Sequence, residues 1–240
     1  MEIKGIQNLS LTDWPGKTSS IIFFNRCNLR CKYCHNPSLA LGMAGQNYPP
    51  AYVLSWLKGQ KDFIDGIILS GGEPTLHKQI VEFCRDIRSY LDIAIKLDTN
   101  GTNPKLLNIL LEEQLIDKIS MDIKAPLDND DKYKKICDAQ IDVRKIEESI
   151  NMIYDYGLDC EFRTTVIPCL LSEKDILDIA CELSCICGGQ VKEYTIQNFN
   201  PSNPLLDETL RHEKSYDKEI LEKIKHTIMQ KYGILKCNIK

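Results

Sequence analysis

Residues 27–37 read CNLRCKYCHNP and directly follow an apolar run, IIFF, at residues 21–24. The cysteines Cys27, Cys31 and Cys34 have the spacing C-x3-C-x2-C. Spacings this short let several thiolates converge on one site, and thiolates favour iron–sulfur clusters or zinc. Three thiolates without an obvious fourth predict a cubane cluster with one open iron, because structural zinc usually takes four protein ligands. His35 could be a fourth ligand, which keeps zinc open as the alternative to a cluster.

The cysteine motif, with Tyr33 before its third cysteine, resembles that of the radical S-adenosylmethionine (SAM) superfamily. The continuation CHNP, residues 34–37, is similar to the glycyl-radical-enzyme activases within that superfamily. Upstream, residues 9–17 read LSLTDWPGK and resemble the N-terminal segment of activating proteins for anaerobic ribonucleoside-triphosphate reductase. The resemblance runs through nearly the whole chain. It implies a [4Fe-4S] cluster on the three cysteines and SAM as the second cofactor.

Composition narrows the class of protein. The chain has 240 residues, of which 43% are hydrophobic, and a formal net charge of -4. It has no basic stripe that would indicate nucleic-acid binding, and no apolar stretch of membrane-spanning length. Patterned sequence begins at once, without a signal peptide, and the 11 cysteines show no disulfide framework. We therefore expect a cytoplasmic protein without nucleic-acid or membrane partners.

Short apolar segments alternate with amphipathic segments along the chain. The predicted strands are 18–24, 67–69, 93–97, 119–124, 161–167 and 193–197, and the predicted helices are 51–58, 79–90, 105–115, 146–156, one opened by Ser172, and 215–232. Such alternation favours parallel strands joined by helices. Six units do not close an eight-fold barrel. The sequence therefore predicts an α/β fold, a partial (β/α)6 TIM-like barrel open on one side, in a single domain spanning residues 1–240; the resemblance implies the same architecture.

Polar motifs fall at the carboxyl ends of the predicted strands, where such folds place their chemistry. The cysteines follow the first strand, and the next three strands end in Gly71-Gly72-Glu73-Pro74, Asp98-Thr99-Asn100 and Asp122-Ile123-Lys124. Arg163 lies within the fifth strand, and Gln197 ends the sixth. This coincidence predicts one ligand site. Its expected SAM-binding residues are Tyr33, Cys34, His35, Gly71, Gly72, Glu73, Asp98, Asn100, Asp122, Lys124, Arg163 and Gln197.

Several of these residues have two interpretations. Glycines after a strand let a ligand approach the backbone closely, and the resemblance implies contact with the amino group of SAM, although a tight turn needs the same residues. Lys124 suits the SAM carboxylate. Asp98 and Asp122 could offset positive charge, cap helices or, as the resemblance implies, hold a monovalent cation. The resemblance places Tyr33 against the adenine of SAM, with core packing as the alternative. Arg163 could reach the ligand or form a salt bridge inside the barrel.

Two further groups have weaker signals. Cys181, Cys185 and Cys187 could hold a second cluster, but the first two would share one helical face and pack inward. Residues 128–131 form an acidic run that we interpret as a solvated loop, since it lacks calcium-loop spacing.

The predicted function is reductive cleavage of SAM, followed by removal of a glycyl Cα hydrogen from an anaerobic ribonucleoside-triphosphate reductase. The expected electron donor is a low-potential protein such as flavodoxin or ferredoxin. The alternatives are a radical SAM enzyme acting on another glycyl radical enzyme, such as pyruvate formate-lyase, or on a small molecule, and a zinc- or cluster-binding interaction module. Residues 200–204, beside the last strand, are a candidate contact for the partner.

Overall fold

Strands and helices alternate through all 240 residues described by the computed structural model. The strands are β1 (Ile3–Ser10), β2 (Ser19–Phe24), β3 (Gly66–Gly71), β4 (Ala94–Thr99), β5 (Lys118–Asp122), β6 (Asp159–Val166), β7 (Tyr194–Asn198) and β8 (Cys237–Ile239). The helices are α1 (Pro37–Ala40), α2 (Pro50–Gln60), α3 (Ile80–Tyr90), α4 (Pro104–Glu112), α5 (Asp130–Cys137), α6 (Val143–Asp155), α7 (Glu173–Ile186) and α8 (Lys218–Lys231). The chain divides into two units: the first comprises residues 1–28, 38–99 and 105–119, and the second comprises residues 29–37, 100–104 and 120–240.

The first unit is built on parallel strands with an antiparallel strand at one edge. β2 pairs in parallel with β3, and β3 pairs in parallel with β4, whereas β1 runs antiparallel to β2. Ile21 on β2 and Ile68 on β3 are paired in register and pack with buried Trp14. A Cβ on Gly66 would lie 2.9 Å from the Trp14 ring, so this glycine makes room for the indole. The segment 9–17 therefore anchors its tryptophan in the core of this unit.

The second unit repeats the parallel arrangement. β6 pairs in parallel with β7, and β7 pairs in parallel with β8. α6 ends before Gly157, which has a left-handed φ of 63°. α7 begins with a complete capping box between Ser172 and Asp175, and its start at Ser172 agrees with the sequence prediction. The α/β class and its parallel strand pairing are thus confirmed.

Four elements differ from the sequence prediction. β1, β8 and the short helix α1 were not predicted, and the acidic run at 128–131 is not a loop throughout, because α5 begins at Asp130. The Asn129 side chain accepts a hydrogen bond from the backbone N–H of Lys132 and so caps this helix. Asp130 and Asp131 then lie in the first turn, where the helix dipole favours negative charge. None of the helices combines the length and apolar character needed to cross a membrane.

Candidate cluster and S-adenosylmethionine site

The start of the cysteine loop is held by the glycine pair of the first unit. The N–H of Gly72 donates to the carbonyl of Phe24 (2.9 Å), and the N–H of Glu73 donates to that of Arg26 (2.7 Å). A Cβ on Gly71, whose φ is 113°, would lie 2.5 Å from the backbone nitrogen of Phe24, and one on Gly72 would lie 2.0 Å from the Arg26 carbonyl oxygen. Close packing against the backbone before Cys27 therefore accounts for both glycines; their contact with SAM stays a prediction.

Glu73 has a structural role that the sequence did not reveal. Its side chain is 1% exposed. One carboxylate oxygen accepts hydrogen bonds from the backbone N–H and the hydroxyl of Thr75 and from the hydroxyl of Thr99. This carboxylate therefore fixes the turn after β3 to the end of β4.

Asp98, on β4, is paired with a buried cation. The Nζ of Lys96, whose side chain is 2% exposed, lies 3.3 Å from one Asp98 oxygen, and the Ser70 hydroxyl donates to the other at 3.1 Å. Lys96 also donates to the carbonyl of Asp13 at 2.7 Å. Residues 96 and 98 are two apart on a strand and so point to the same face. In this structure the Asp98 carboxylate neutralises the Lys96 ammonium group. A monovalent cation at Asp98 stays a prediction.

In the second unit the cysteine loop is attached to the end of α5. The N–H groups of Arg30 and Lys32 donate to the carbonyls of Cys137 (2.7 Å) and Ile136 (3.2 Å). The last carbonyls of a helix have no partner within the helix, so the loop supplies donors that the helix end needs. Between these two hydrogen bonds, the sulfur of Cys31 lies 3.8 Å from the sulfur of Cys137.

The two thiols of this part of the loop have different acidities. The hydrogen bond with Cys137, aided by the positive charge of Lys124, outweighs burial and lowers the pKa of Cys31 to about 7. Burial raises the pKa of Cys34 above its ordinary value. Because the thiolate is the form that binds metal, Cys31 is the better prepared of the two as a ligand.

Asp122, Lys124 and Arg163 form one charged group in the second unit. The Lys124 Nζ and the Arg163 Nε each lie 2.8 Å from an oxygen of Asp122. Burial raises the pKa of Asp122, but the charges of Arg163 and Lys124 outweigh it and hold the pKa at about 2. Burial likewise disfavours the Lys124 cation, and Asp122 more than compensates, so the pKa of Lys124 lies well above its ordinary value. All three side chains are charged at neutral pH, and two cations share one carboxylate.

Two tyrosines lie beside this charged group. Tyr33 is buried, its hydroxyl has no hydrogen-bond partner, and burial raises its pKa well above the ordinary value. Tyr133, on α5, is fully buried, and its hydroxyl accepts a hydrogen bond from the backbone N–H of Lys124 at 3.0 Å. The ring of Tyr33 packs in the interior, as its alternative interpretation proposed, and its contact with adenine stays a prediction.

The other predicted SAM contacts have the following places. The ring Nδ1 of His35 lies 3.3 Å from the Nδ2 of Asn203, in the connection between β7 and α8. Asn100 is buried, and its side-chain oxygen accepts from the N–H and hydroxyl of Thr102. The amide oxygen of Gln197 lies 3.4 Å from the Thr165 hydroxyl on the neighbouring strand. These contacts give the asparagine a turn-forming role; ligand binding by all three stays a prediction.

The second cysteine group, Cys181, Cys185 and Cys187, lies on α7 and just after its end. Cys181 and Cys185 both lie on α7, as predicted, but Cys181 is half-buried and Cys185 is exposed, so the prediction that they pack inward is wrong. Cys187, just after the helix, is buried.

The residues present fit a cluster and SAM by their donor chemistry. Three thiols of one loop, one of them with a lowered pKa, are the donors that a [4Fe-4S] cluster with an open iron requires. A lysine and an arginine that share one carboxylate suit an anionic group of a ligand. No group of three histidine, cysteine or acidic side chains stands in metal-binding geometry in the structure.

Known proteins resemble this chain over most of its length. The model of the radical SAM superfamily matches residues 21–180. The chain is 34% identical over 213 residues to a Methanocaldococcus jannaschii protein named glycyl-radical enzyme activating enzyme, a match that covers 84% of this chain and 81% of that protein. It is 26% identical over 235 residues to the pyruvate formate-lyase-activating enzyme of Clostridium pasteurianum, covering 92% and 94%.

Solved structures show the same fold. Streptococcus suis SuiB, bound to its precursor peptide SuiA, matches with a TM-score of 0.71 at 15% identity, over 92% of this chain and 48% of SuiB. This chain therefore spans about half the length of SuiB. The likeness shows the α/β fold that the sequence predicted.

The fold and the three-cysteine loop define an iron–sulfur enzyme of the α/β class. The chain belongs to the radical SAM superfamily, because the family model covers well over half of it, and its relatives include glycyl-radical enzyme activating enzymes. Membership brings a [4Fe-4S] cluster and SAM as cofactors and sets aside the zinc alternative.

Sequence reasoning missed four residues around these groups. They are Lys96, Tyr133, Cys137 and Glu161, on β6, whose carboxylate accepts a hydrogen bond from the Ser120 hydroxyl at 3.1 Å. Lys96 and Glu161 had a signal, namely a charged residue two positions from another within a predicted buried strand. Tyr133 and Cys137 had none, because their partners are set by the packing of α5.

Proposed function

We propose that this protein is the activase of an anaerobic ribonucleoside-triphosphate reductase. It would cleave SAM reductively and remove a hydrogen atom from a glycine Cα of that reductase. The observation that carries the activase class is the 34% identity to a glycyl-radical enzyme activating enzyme over most of both chains. The choice of reductase rests on the resemblance of residues 9–17 to activating proteins of that kind.

The reaction balances with one electron. SAM, one electron and a glycine Cα–H give methionine, 5′-deoxyadenosine and a glycyl radical. Cys27, Cys31 and Cys34 would hold the cluster, which, when bound, supplies the electron to SAM. The protein that delivers this electron to the cluster would be a low-potential donor such as flavodoxin or ferredoxin. The reaction would take place in the cytoplasm.

The chain's own residues would bind and orient SAM. Lys124 would pair with the SAM carboxylate, and Asp122 keeps this lysine charged and directed, since their 2.8 Å contact raises the lysine pKa. Arg163 shares the same carboxylate and adds a second cation. The backbone of Gly71 and Gly72 would meet the amino group, and a monovalent cation at the predicted aspartates belongs to the same proposal.

A protein substrate suits the layout of the second unit. An enzyme that makes a primary carbon radical must exclude water from it, and a partner protein that covers the site would do so. The connection between β7 and α8 lies on the cysteine loop, where Asn203 contacts His35 and the N–H of Asp207 donates to the Lys32 carbonyl at 2.9 Å. We therefore propose residues 200–204 as a contact for the partner.

The test is electron paramagnetic resonance with reduced enzyme, SAM and the candidate reductase under strict anaerobiosis. We expect a doublet glycyl signal on the reductase, and its loss when the reductase glycine becomes alanine. A variant with Asn203→Ala should cleave SAM in the absence of partner as the parent does but give less glycyl radical. The proposal fails if no radical forms on the reductase while SAM is cleaved.

The alternative is activation of a different glycyl radical enzyme. The similarity to a pyruvate formate-lyase-activating enzyme over 92% of the chain favours it. The same experiment with pyruvate formate-lyase as the candidate partner distinguishes the two. Consumption of SAM together with a small metabolite, with no partner protein present, would indicate a small-molecule substrate instead.

A further inference from the structure

The cysteine loop has a fourth thiol as a neighbour. Cys137, the last residue of α5, is fully buried, and Cys31 is 9% exposed. Their sulfurs lie 3.8 Å apart, which is within hydrogen-bonding distance for sulfur. The two residues are 106 positions apart in sequence, so the contact is created by the fold.

The backbone holds these two sulfurs in register. The residues on either side of Cys31 donate to the end of α5, Arg30 to the Cys137 carbonyl at 2.7 Å and Lys32 to the Ile136 carbonyl at 3.2 Å. A loop fixed on both sides of one residue cannot shift that residue along the helix without breaking a hydrogen bond. The contact between the sulfurs is therefore a fixed feature of the site.

The direction of the hydrogen bond follows from the chemistry of a cluster ligand. A cysteine that binds iron is a thiolate and has no proton to donate. Within this pair, the Cys137 thiol is then the only donor, and the Cys31 sulfur is the acceptor. Hydrogen bonds to the sulfurs of an iron–sulfur cluster are one of the factors that set its reduction potential. They withdraw negative charge from the cluster and so favour the reduced form.

We infer that Cys137 is a positioning residue whose thiol donates a hydrogen bond to the cluster ligand Cys31 and raises the reduction potential of the cluster. This inference rests on the assignment of Cys31 as a ligand and extends it to α5. Cys137 neither binds iron nor touches the substrate. It makes the cluster easier for the donor protein to reduce.

The test compares cysteine variants of the reconstituted enzyme by redox titration followed by electron paramagnetic resonance. Cys137→Ala removes the donor and should keep four irons per chain but move the midpoint potential to a more negative value. A tenfold loss in the reduction equilibrium corresponds to about 59 mV for one electron. Cys137→Ser retains a donor at this position and should give a potential closer to that of the parent.

Cys84→Ala is the matched control, because Cys84 is also a fully buried helical cysteine but lies on α3. It should leave the potential unchanged. An unchanged potential in Cys137→Ala, or an equal shift in the alanine, serine and control variants, would overturn the inference. If Cys137→Ala loses iron, Cys137→Val takes its place as the variant without a donor: a more negative potential supports the inference, and an unchanged one overturns it.

Measurement of the iron content distinguishes the inference about Cys137 from the assignment of Cys31 as a cluster ligand. Cys31→Ala should lose the four-iron cluster. Retention of four irons by that variant would remove Cys31 from the ligand set, whereas an unchanged potential in Cys137→Ala with iron intact would refute only the role of Cys137.

Discussion

Replacement of Asp122 by asparagine tests the charged group at the end of β5. The change keeps the shape of the side chain but leaves Lys124 and Arg163, which are 12% and 14% exposed, without the carboxylate that they share. The pKa of Asp122 lies at about 2 rather than 3.8, and one pKa unit corresponds to about 1.4 kcal/mol. The fold therefore favours the charged carboxylate by about 2 kcal/mol. We expect Asp122→Asn to lower the free energy of unfolding by a similar amount at pH 7.

The effect should depend on pH in one direction. The folded-state pKa is below the unfolded-state value, so the stabilisation is complete above about pH 4 and is lost as the pH falls towards 2. Asparagine does not titrate. The difference between the parent and Asp122→Asn should therefore be constant from pH 7 to pH 5 and become smaller below pH 4.

Urea denaturation of the cluster-free protein, followed by circular dichroism, measures both quantities. Asp178→Asn is the control, because Asp178 pairs with a lysine that is 82% exposed on α7, and such surface pairs contribute little to stability. A loss in Asp122→Asn no larger than in the control would refute the reasoning. So would a difference that grows as the pH falls below 4.

Three further predictions concern the cofactors. Cys34→Ala should lose the cluster and all reductive cleavage of SAM, measured as iron per chain and 5′-deoxyadenosine formed; four irons in the variant would contradict the ligand assignment. Lys124→Ala should weaken SAM binding by about 2–5 kcal/mol, because it removes the charged partner of a buried carboxylate; calorimetry with an unchanged dissociation constant would exclude Lys124 from the site. Tyr133→Phe leaves the Lys124 N–H without its acceptor, which costs about 1–3 kcal/mol of stability. It should raise the SAM dissociation constant severalfold with iron content unchanged, and an unaltered dissociation constant would show that Tyr133 does not position this lysine.

The parts of the fold that sequence could predict are those with a repeating pattern. Six strands and their helices were predicted because short apolar segments alternate along the chain with amphipathic segments of 3.6-residue period. β1 was missed because its apolar residues, Ile3, Ile6 and Leu9, recur every third position rather than every second, and it pairs antiparallel at an edge, with irregular register. β8 was missed because it has only three residues. α5 was missed because its first turn is acidic, and acidic residues are as common in loops as at helix starts.

The site residues that sequence could predict are those that stand close together in short motifs. The three cysteines and the pair Asp122 and Lys124 stand in short motifs, and the fold places the last two 2.8 Å apart. Cys137 and Tyr133 have no such signal, since a buried cysteine or tyrosine is usually a packing residue. Their contacts depend on where α5 ends, and the backbone hydrogen bonds to the cysteine loop decide that in three dimensions.

A row of alternating charges explains why an anionic ligand suits the second unit. Lys124, Asp122 and Arg163 form its first part, and Glu161, two residues before Arg163 on β6, points to the same face and pairs with the Nζ of Lys240 at 3.2 Å. Burial raises the pKa of Glu161, but the Thr195 hydroxyl and the cations outweigh it and hold it at about 2. Three cations thus face two carboxylates, which leaves one excess positive charge. Because Glu161 and Lys240 neutralise each other, the excess falls on Lys124 and Arg163, where a ligand carboxylate would complete the pairing.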